Sequence, residues 1–529
     1  MRRLVLGSAV LLLVVAGLLP VAVMVAKSVT AGGHLGFDAY RGLLASPRQW
    51  LLVGNSLTLA TLTTLGAVVL GLPAGILVGR TDLPGRRALT ALLAMPLLLP
   101  PYLTAVGWMA AGSQTGPVAQ WLGQGTAHAL SRLLFGLPGC VLVLTTAFMP
   151  LVMLLVAAAL KGVPSRLEEA GLLVAPWPTV LWRVSLPLVA PGVLLGAALV
   201  FLLALGEVSV PPSLRFPVFA VESLSLFSAF YDLTAATAAA MPLAALTAAV
   251  LGLEALAARR AGTAGGAGVL ASGNALTIPL GKLRRPATVA AWAIAVLLVG
   301  GPLMILVGQA GGPGTYVEAL HSAGDSLWRG VALAVVGGAL LAGLGFVLAM
   351  LVRERSGGAG TTVDAAALFL FAVPGTVMGV GLIVLWNRPW ANMVYATPLI
   401  LLLGYVARYT AVTLRLNRAA LELVPEGQIE AARAAGIGWG RRLVWVAAPA
   451  AWRGIAAAGL AGAVFCLRDV GMTLLVHPPG WDTLPVRIMT LAANGAPSLI
   501  AALCMILVAV TVAPVAVLSL ILGRRVVVR

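Results

Sequence analysis

Apolar runs of about twenty residues, separated by short polar stretches, recur along the whole chain. Leu4–Ala26, Leu137–Leu160 and Leu499–Gly523 each reach the length at which a helix crosses a hydrocarbon core of about 30 Å. The full pattern predicts twelve spans: 4–26, 51–79, 89–112, 137–160, 188–208 and 234–258, then 287–309, 326–352, 365–386, 397–415, 450–470 and 499–523. None alternates apolar and polar residues as a barrel strand does, and an open strand would leave unpaired amides in lipid. The expected fold is all-α, a polytopic transmembrane helical bundle.

Composition agrees. Of 529 residues, 60% are hydrophobic and 10% charged, with a mean hydropathy of +1.03. A soluble domain carries about 25% charged residues, so the lipid bilayer is the expected solvent. The net charge of +17 raises the question of nucleic acid. With the N-terminus inside, most of the 34 Lys and Arg fall on the inner side, as the positive-inside rule requires. They stand as short clusters at span borders (Arg86-Arg87, Arg284-Arg285, Arg441-Arg442, Arg524-Arg525), so no nucleic-acid partner is expected. Arg2-Arg3 before the first run resemble a signal peptide's charged end. The run is longer than a usual signal core and no small-residue cleavage site follows, so a retained span is expected. Cys140, Cys466 and Cys504 lie far apart in apolar runs, the setting of small packed hydrophobes rather than ligands.

Between the sixth and seventh spans, residues 261–285 are rich in Gly, Ala and Ser. They read as a flexible cytoplasmic linker between a first unit, 1–260, and a second, 286–529. The two units repeat one another. Ala94-Met95-Pro96 in the third span is matched by Ala372-Val373-Pro374 in the ninth. After the fourth and tenth spans come two long loops on the inner side, Val163–Pro187 and Val424–Pro449. Glu207 lies twenty residues beyond Pro187 and Asp469 twenty beyond Pro449, both at outer span ends. An even number of spans per unit makes the repeats parallel, with both loops on the same side.

These loops have the composition of structure. Glu430–Ala435 is strong helix former throughout, and Gly436 stands where a left-handed cap would end the helix. Ile437–Val446 then resumes a basic amphipathic stretch before Pro449. The loop is expected to be a short helix–turn–helix outside the bilayer, its small alanine faces open to a partner.

Glu430-Ala431-Ala432, three residues, Gly436, nine residues, then Val446-Ala447-Ala448-Pro449 resembles the EAA loop of ABC importer permeases. Val446 and Ala448 replace the family's Ile and Leu. The first loop resembles it less closely. Glu169 and Ala170 match, Gly171 replaces the second alanine, Val174 or Ala175 stands where the glycine should be, and Leu186-Pro187 arrives one residue early. The resemblance covers both units and is to the fused two-unit type, as in ferric-iron or thiamine permeases. Thr473-Leu474-Leu475, Pro478-Pro479-Gly480 and Thr483–Arg487 lean to the iron type, with thiamine and phosphonate as alternatives. It implies a type I permease fold in which Glu169, Ala170, Gly171 and Pro187, with Glu430, Ala431, Ala432, Gly436 and Pro449, form loops that couple to an ATPase.

No G-x-x-x-x-G-K-[ST] phosphate loop occurs, since Leu283 follows Gly281-Lys282. ATP and Mg would be used by a separate ABC ATPase subunit, in two copies, and no cofactor is expected on this chain. A separate solute-binding protein is implied by the family. The chain would then be a transport subunit, not an enzyme, in a bacterial inner membrane with both termini cytoplasmic. Glu207 and Asp469 are candidates for a translocation pathway or binding-protein contact, because charges within spans are functional suspects. Against that stands local pairing, for which Arg468 adjoins Asp469. Arg408 and Arg453, also near span interiors or edges, are expected to snorkel toward the inner face rather than line a pathway. The four histidines are scattered singly in outer loops, and no metal site is expected. Two other classes fit less well. A secondary transporter with two parallel repeats would not explain the paired loops, and an enzyme on lipid-linked substrates would need a cluster of reactive groups that does not assemble.

Overall fold

The computed structural model describes residues 2–31, 34–228, 233–260, 276–354 and 358–523. Apart from a minimal hairpin, Thr30–Ala31 with His34–Leu35, the described elements are helices. The first repeat supplies α1 (Arg2–Ser28), α2 (Pro47–Arg80), α3 (Arg86–Leu98), α4 (Pro101–Ala111), α5 (Leu137–Lys161), α6 (Ser165–Leu172), α7 (Trp177–Leu205) and α8 (Leu233–Arg260). The second supplies the same series: α9 (Gly281–Ala310), α10 (Pro313–Glu354), α11 (Ala359–Ala372), α12 (Gly375–Trp386), α13 (Leu399–Glu422), α14 (Glu426–Ala434), α15 (Trp439–Arg468) and α16 (Pro497–Gly523). Ten helices among the described residues are long and apolar enough to cross a bilayer, or up to twelve if each bent pair counts as one span. The all-α polytopic bundle is as expected.

The third and ninth spans depart from expectation. Each is broken, α3 from α4 by 101° and α11 from α12 by 103°. Leu99 and Pro100 are extended, at ψ 150° and 135°, as are Val373 and Pro374, at ψ 129° and 143°. A residue before proline is driven out of the helical region by the ring. Pro100-Pro101 and Pro374 therefore end one helix and start another inside a continuous apolar run. The counterpart of Pro374 is thus Pro100 and not Pro96, which lies inside α3.

Prolines mark the repeat a second way. Four π-helical turns occur among the described residues: 14–18, 181–185, 296–300 and 443–447. Each is followed two residues later by a proline, Pro20, Pro187, Pro302 or Pro449. A proline inside a helix offers no N–H, and its ring crowds the carbonyl four residues back. A widened turn relieves that clash.

The chain forms two compact units, and these do not follow sequence order. One comprises Met1–Ser46, Glu222–Ala244 and Gly312–Arg529, the other Pro47–Val221 and Ala245–Gly311. Each repeat's first helix thus packs with the other repeat, whereas the division at 1–260, 261–285 and 286–529 groups it with its own. The contacts that hold it are equivalent. A Cβ on Gly381 of α12 would stand 3.1 Å from the Pro20 carbonyl oxygen of α1, and one on Gly107 of α4 would meet the Pro302 carbonyl of α9 at 2.8 Å. Only glycine permits that approach.

Residues 261–275 of the expected linker lie outside the described residues. The described remainder is docked, contrary to the expectation of flexibility throughout. Ile278 donates to Arg80 O (2.7 Å) and accepts from Asp82 N (3.3 Å). Leu280 N donates to the Asp82 carboxylate (3.0 Å). These bonds satisfy the backbone beyond the end of α2, which a free linker would leave to water.

Candidate functional site

The second loop is built from a capped helix on an apolar floor. Pro425, at φ −56° and ψ 130°, starts α14, whose sequence is almost all good helix former. Gly436 ends it at φ +74°. Gly436 N donates to Arg433 O and Ile437 N to Ala432 O, each at 3.0 Å. That pair of bonds is the Schellman closure. Chain direction then reverses through extended Gly438 into Trp439 and α15. Beneath the loop, Phe346, Ala349, Met350, Leu421, Val424, Leu443, Ala447 and Ala451 form a buried cluster, with Ile429 packed on it. Ala432 is buried on this inner side, while Glu430, Ala431, Gly436 and Pro449 are exposed.

The first loop has the same outline and a different interior. Pro164 starts α6 as Pro425 starts α14, and Glu169 holds the helical position of Glu430. From Trp177 onward each residue matches the one 262 later, so Pro187 corresponds to Pro449. The missing residue lies in the turn. That turn has no residue at positive φ. Val174 N and Ala175 N both donate to Gly171 O, at 3.1 and 3.0 Å, and Pro176 leaves extended at ψ 161°. Gly171 stays within the helix and does not supply a left-handed cap. It makes room instead, since a Cβ there would stand 3.1 Å from Val180 Cγ2.

The interior of this loop is ionic. Glu168, the neighbour of the motif glutamate, is buried with both oxygens engaged: Arg80 Nη2 donates at 2.7 Å and Ser185 Oγ at 2.8 Å. The Arg80 and Glu168 side chains are 1% and 2% exposed. Arg80 Nη1 also donates to Leu276 O at 3.0 Å, tying the linker to the loop. Removal of two charges from water is expensive unless each is paired and hydrogen-bonded, and here each is. Glu169 and Ala170 are left exposed, as are Leu173, Val174 and Pro187. Glu168 was missed in the sequence because its partner lies 88 residues away.

The two acidic span ends also diverge. Asp469 is buried and accepts from Arg408 and from the Tyr409 hydroxyl. Its other oxygen accepts from Thr473 N and Oγ1, each at 2.9 Å. The partner is therefore Arg408 from the middle of α13, not Arg468. Arg408 in turn does not snorkel: its side chain is 13% exposed. The first turn of α12 approaches the same place, where a Cβ on Gly375 would meet Arg408 Nη1 at 2.9 Å. Glu207, half-buried, accepts from Ser209 N at 2.7 Å and from the Ser209 hydroxyl. Buried Ala147 stands in α5 where α13 has Arg408, so the acid is satisfied locally by Ser209. Arg453 is exposed beside the Trp452 ring.

No family model matches the chain. Individual relatives do. The molybdenum transport system permease protein of Escherichia coli K12 is 32% identical over 171 residues, 31% of this chain and 71% of the relative. The chain belongs to the ABC transporter permeases. A protein of Haloferax volcanii named as a probable molybdenum ABC transporter permease is 38% identical over 154 residues, 29% of this permease and 54% of the relative. The Fe(3+)-transport system permease protein FbpB 2 of Haemophilus influenzae is 25% identical over 465 residues, 84% of this permease and 85% of the relative. This permease spans 54% to 63% of the length of the first molybdenum relatives. These relatives are named as transport permease proteins, and the apolar helices described above make this permease a multi-pass membrane protein and a transport subunit rather than an enzyme.

Proposed function

We propose that this permease is the membrane-spanning subunit of an ATP-driven importer of a small inorganic ion. The observation that carries the reading is the pair of matching helix–turn–helix loops, each presenting one exposed glutamate (Glu169, Glu430) and exposed alanine on a rigid base. Two such points on one chain suit an ABC ATPase pair. A solute-binding protein would deliver the ion to the opposite face, where Glu207 and Asp469 lie near the pathway. Nucleotide would bias the bundle between two states through the loops.

Ferric iron is the first reading for the solute. It is supported by the two-unit length shared with the Haemophilus influenzae relative, over 465 residues. Molybdate is the second, favoured by the higher identity of the shorter molybdenum relatives, 38% and 32%. The test is uptake of radiolabelled ferric iron and molybdate by cells expressing this chain with a cognate ATPase and binding protein. Uptake of one ion should require the ATPase and fall sharply in the Glu430→Lys/Gly436→Ala variant. Uptake that persists without the ATPase and collapses with the proton gradient would contradict the proposal and indicate a secondary transporter.

A further inference from the structure

A cavity of about 430 Å³ lies among the ends of α2 and α5 and the first turns of α3, lined by Val78, Gly79, Arg86, Arg87, Thr90 and Lys161. Its volume falls in the range of small-molecule sites, roughly 300–1,000 Å³. Three of the six residues are cations and none is an acid. Among the described residues, no ion pair involves Arg86, Arg87 or Lys161. Arg86 Nη1 donates to Thr81 O at 3.1 Å, which leaves its other donors and its charge uncompensated. Nearby Asp82 is occupied by Leu280 N, at 3.0 Å, and by Arg284, at 3.8 Å.

The corresponding end of the other unit handles its charge differently. Arg353 donates to Leu421 O at 2.6 Å, Arg415 pairs with Asp364 at 3.2 Å, and Arg418 pairs with Glu422 at 3.2 Å. Retention of positive charge at the loop-bearing end of the spans therefore does not in itself require an open basic cavity.

We propose that this cavity holds the phosphate headgroup of an anionic phospholipid. Its place at the ends of helices long and apolar enough to cross a bilayer supports that source of phosphate. Lys161 ends a spanning helix, Val78 and Gly79 stand in the last turn of another, and Trp292 packs beside it, 3.4 Å from where a Cβ on Gly85 would stand. Tryptophan collects at headgroup level, and basic pockets between helices suit anionic headgroups. A phosphodiester offers only acceptors, which guanidinium groups grip in pairs. Lys161 also leads directly into the first loop, so a bound lipid would brace that loop's base.

The test uses the full-length permease in nanodiscs of phosphatidylcholine with increasing phosphatidylglycerol, with retained lipids counted by native mass spectrometry. The wild type should keep phosphatidylglycerol in preference to phosphatidylcholine. Each charge near an anionic surface contributes about five-fold in affinity. Lys161→Gln alone should therefore lower retention about five-fold, and Arg86→Gln/Arg87→Gln/Lys161→Gln about 100-fold. The charge-preserving Arg86→Lys/Arg87→Lys/Lys161→Arg variant should keep most of it. Equal retention of the two lipids by the wild type would overturn the proposal, as would unchanged retention in the triple glutamine variant. Displacement of the lipid by millimolar inorganic phosphate would overturn it in favour of a free anion.

Discussion

The two loops reach one shape by two kinds of chemistry. The second rests on a buried apolar cluster and closes through Gly436 at φ +74°. The first rests on the Arg80–Glu168–Ser185 network and closes one residue shorter without any left-handed residue. Their outer faces remain alike, with Glu169 and Glu430 both exposed. The outer face is what a partner would read, and the interior need only hold it still. An apolar floor fails gradually when trimmed. A buried ion pair fails abruptly, because removal of one partner leaves the other charge uncompensated.

That contrast can be broken most forcefully at Glu168. Glu168→Ala should destabilise the permease by about 3–5 kcal/mol, the usual result of orphaning a buried charge, measured as a fall in unfolding temperature in detergent. Arg80→Met/Glu168→Met should recover most of the loss. Ile429→Ala, at the same helical position in the second loop, should lose clearly less, since its side chain is only partly buried. Equal losses would show that the interiors do not differ in kind.

Asp469 and Glu207 give the next comparison. Asp469→Asn removes the partner of Arg408 and should lose about 1.5–3 kcal/mol, the range for hydrogen bonds to charged groups. Glu207→Gln, half-buried and bonded to Ser209 alone among the contacts described above, should lose less than about 1 kcal/mol. Reversal of that order would remove the distinction between a buried ion pair and a local turn. A smaller effect is expected at Gly436. No atom lies within 4 Å of a Cβ placed there, so Gly436→Ala tests backbone conformation alone. It should cost about 1–2 kcal/mol, and Gly436→Asn should cost less because asparagine tolerates the left-handed region. The smallest effect belongs to Gly171→Ala. Crowding against Val180 opposes a helix-propensity gain of about 0.5–1 kcal/mol, so unfolding temperature should barely move.

The spans, the repeat and the Gly436 turn were legible in the sequence because each has a local cause: an apolar run, a recurring proline or a glycine after a helix-forming stretch. The breaks at Pro100 and Pro374 had a local signal too, but apolar residues continue on both sides and hide it in a hydropathy pattern. The exchange of α1 and α9 between units had none, since a helix apolar on every side does not name its neighbour. Glu168 with Arg80, and Asp469 with Arg408, are separated by 88 and 61 residues. Nothing in the sequence ties them together before the helices are packed. The linker's docking at Arg80 was hidden for the same reason.

The two loops are proposed as docking points for the ATPase that need not count equally. The direct measurement is the number of ATPase copies retained by the purified permease, read by native mass spectrometry. The wild type should hold two, and the Glu430→Lys/Gly436→Ala variant no more than one. Glu169→Lys, on the less closely matching loop, should weaken retention less. Two copies retained by the Glu430/Gly436 variant, or equal losses from both loops, would contradict that proposal.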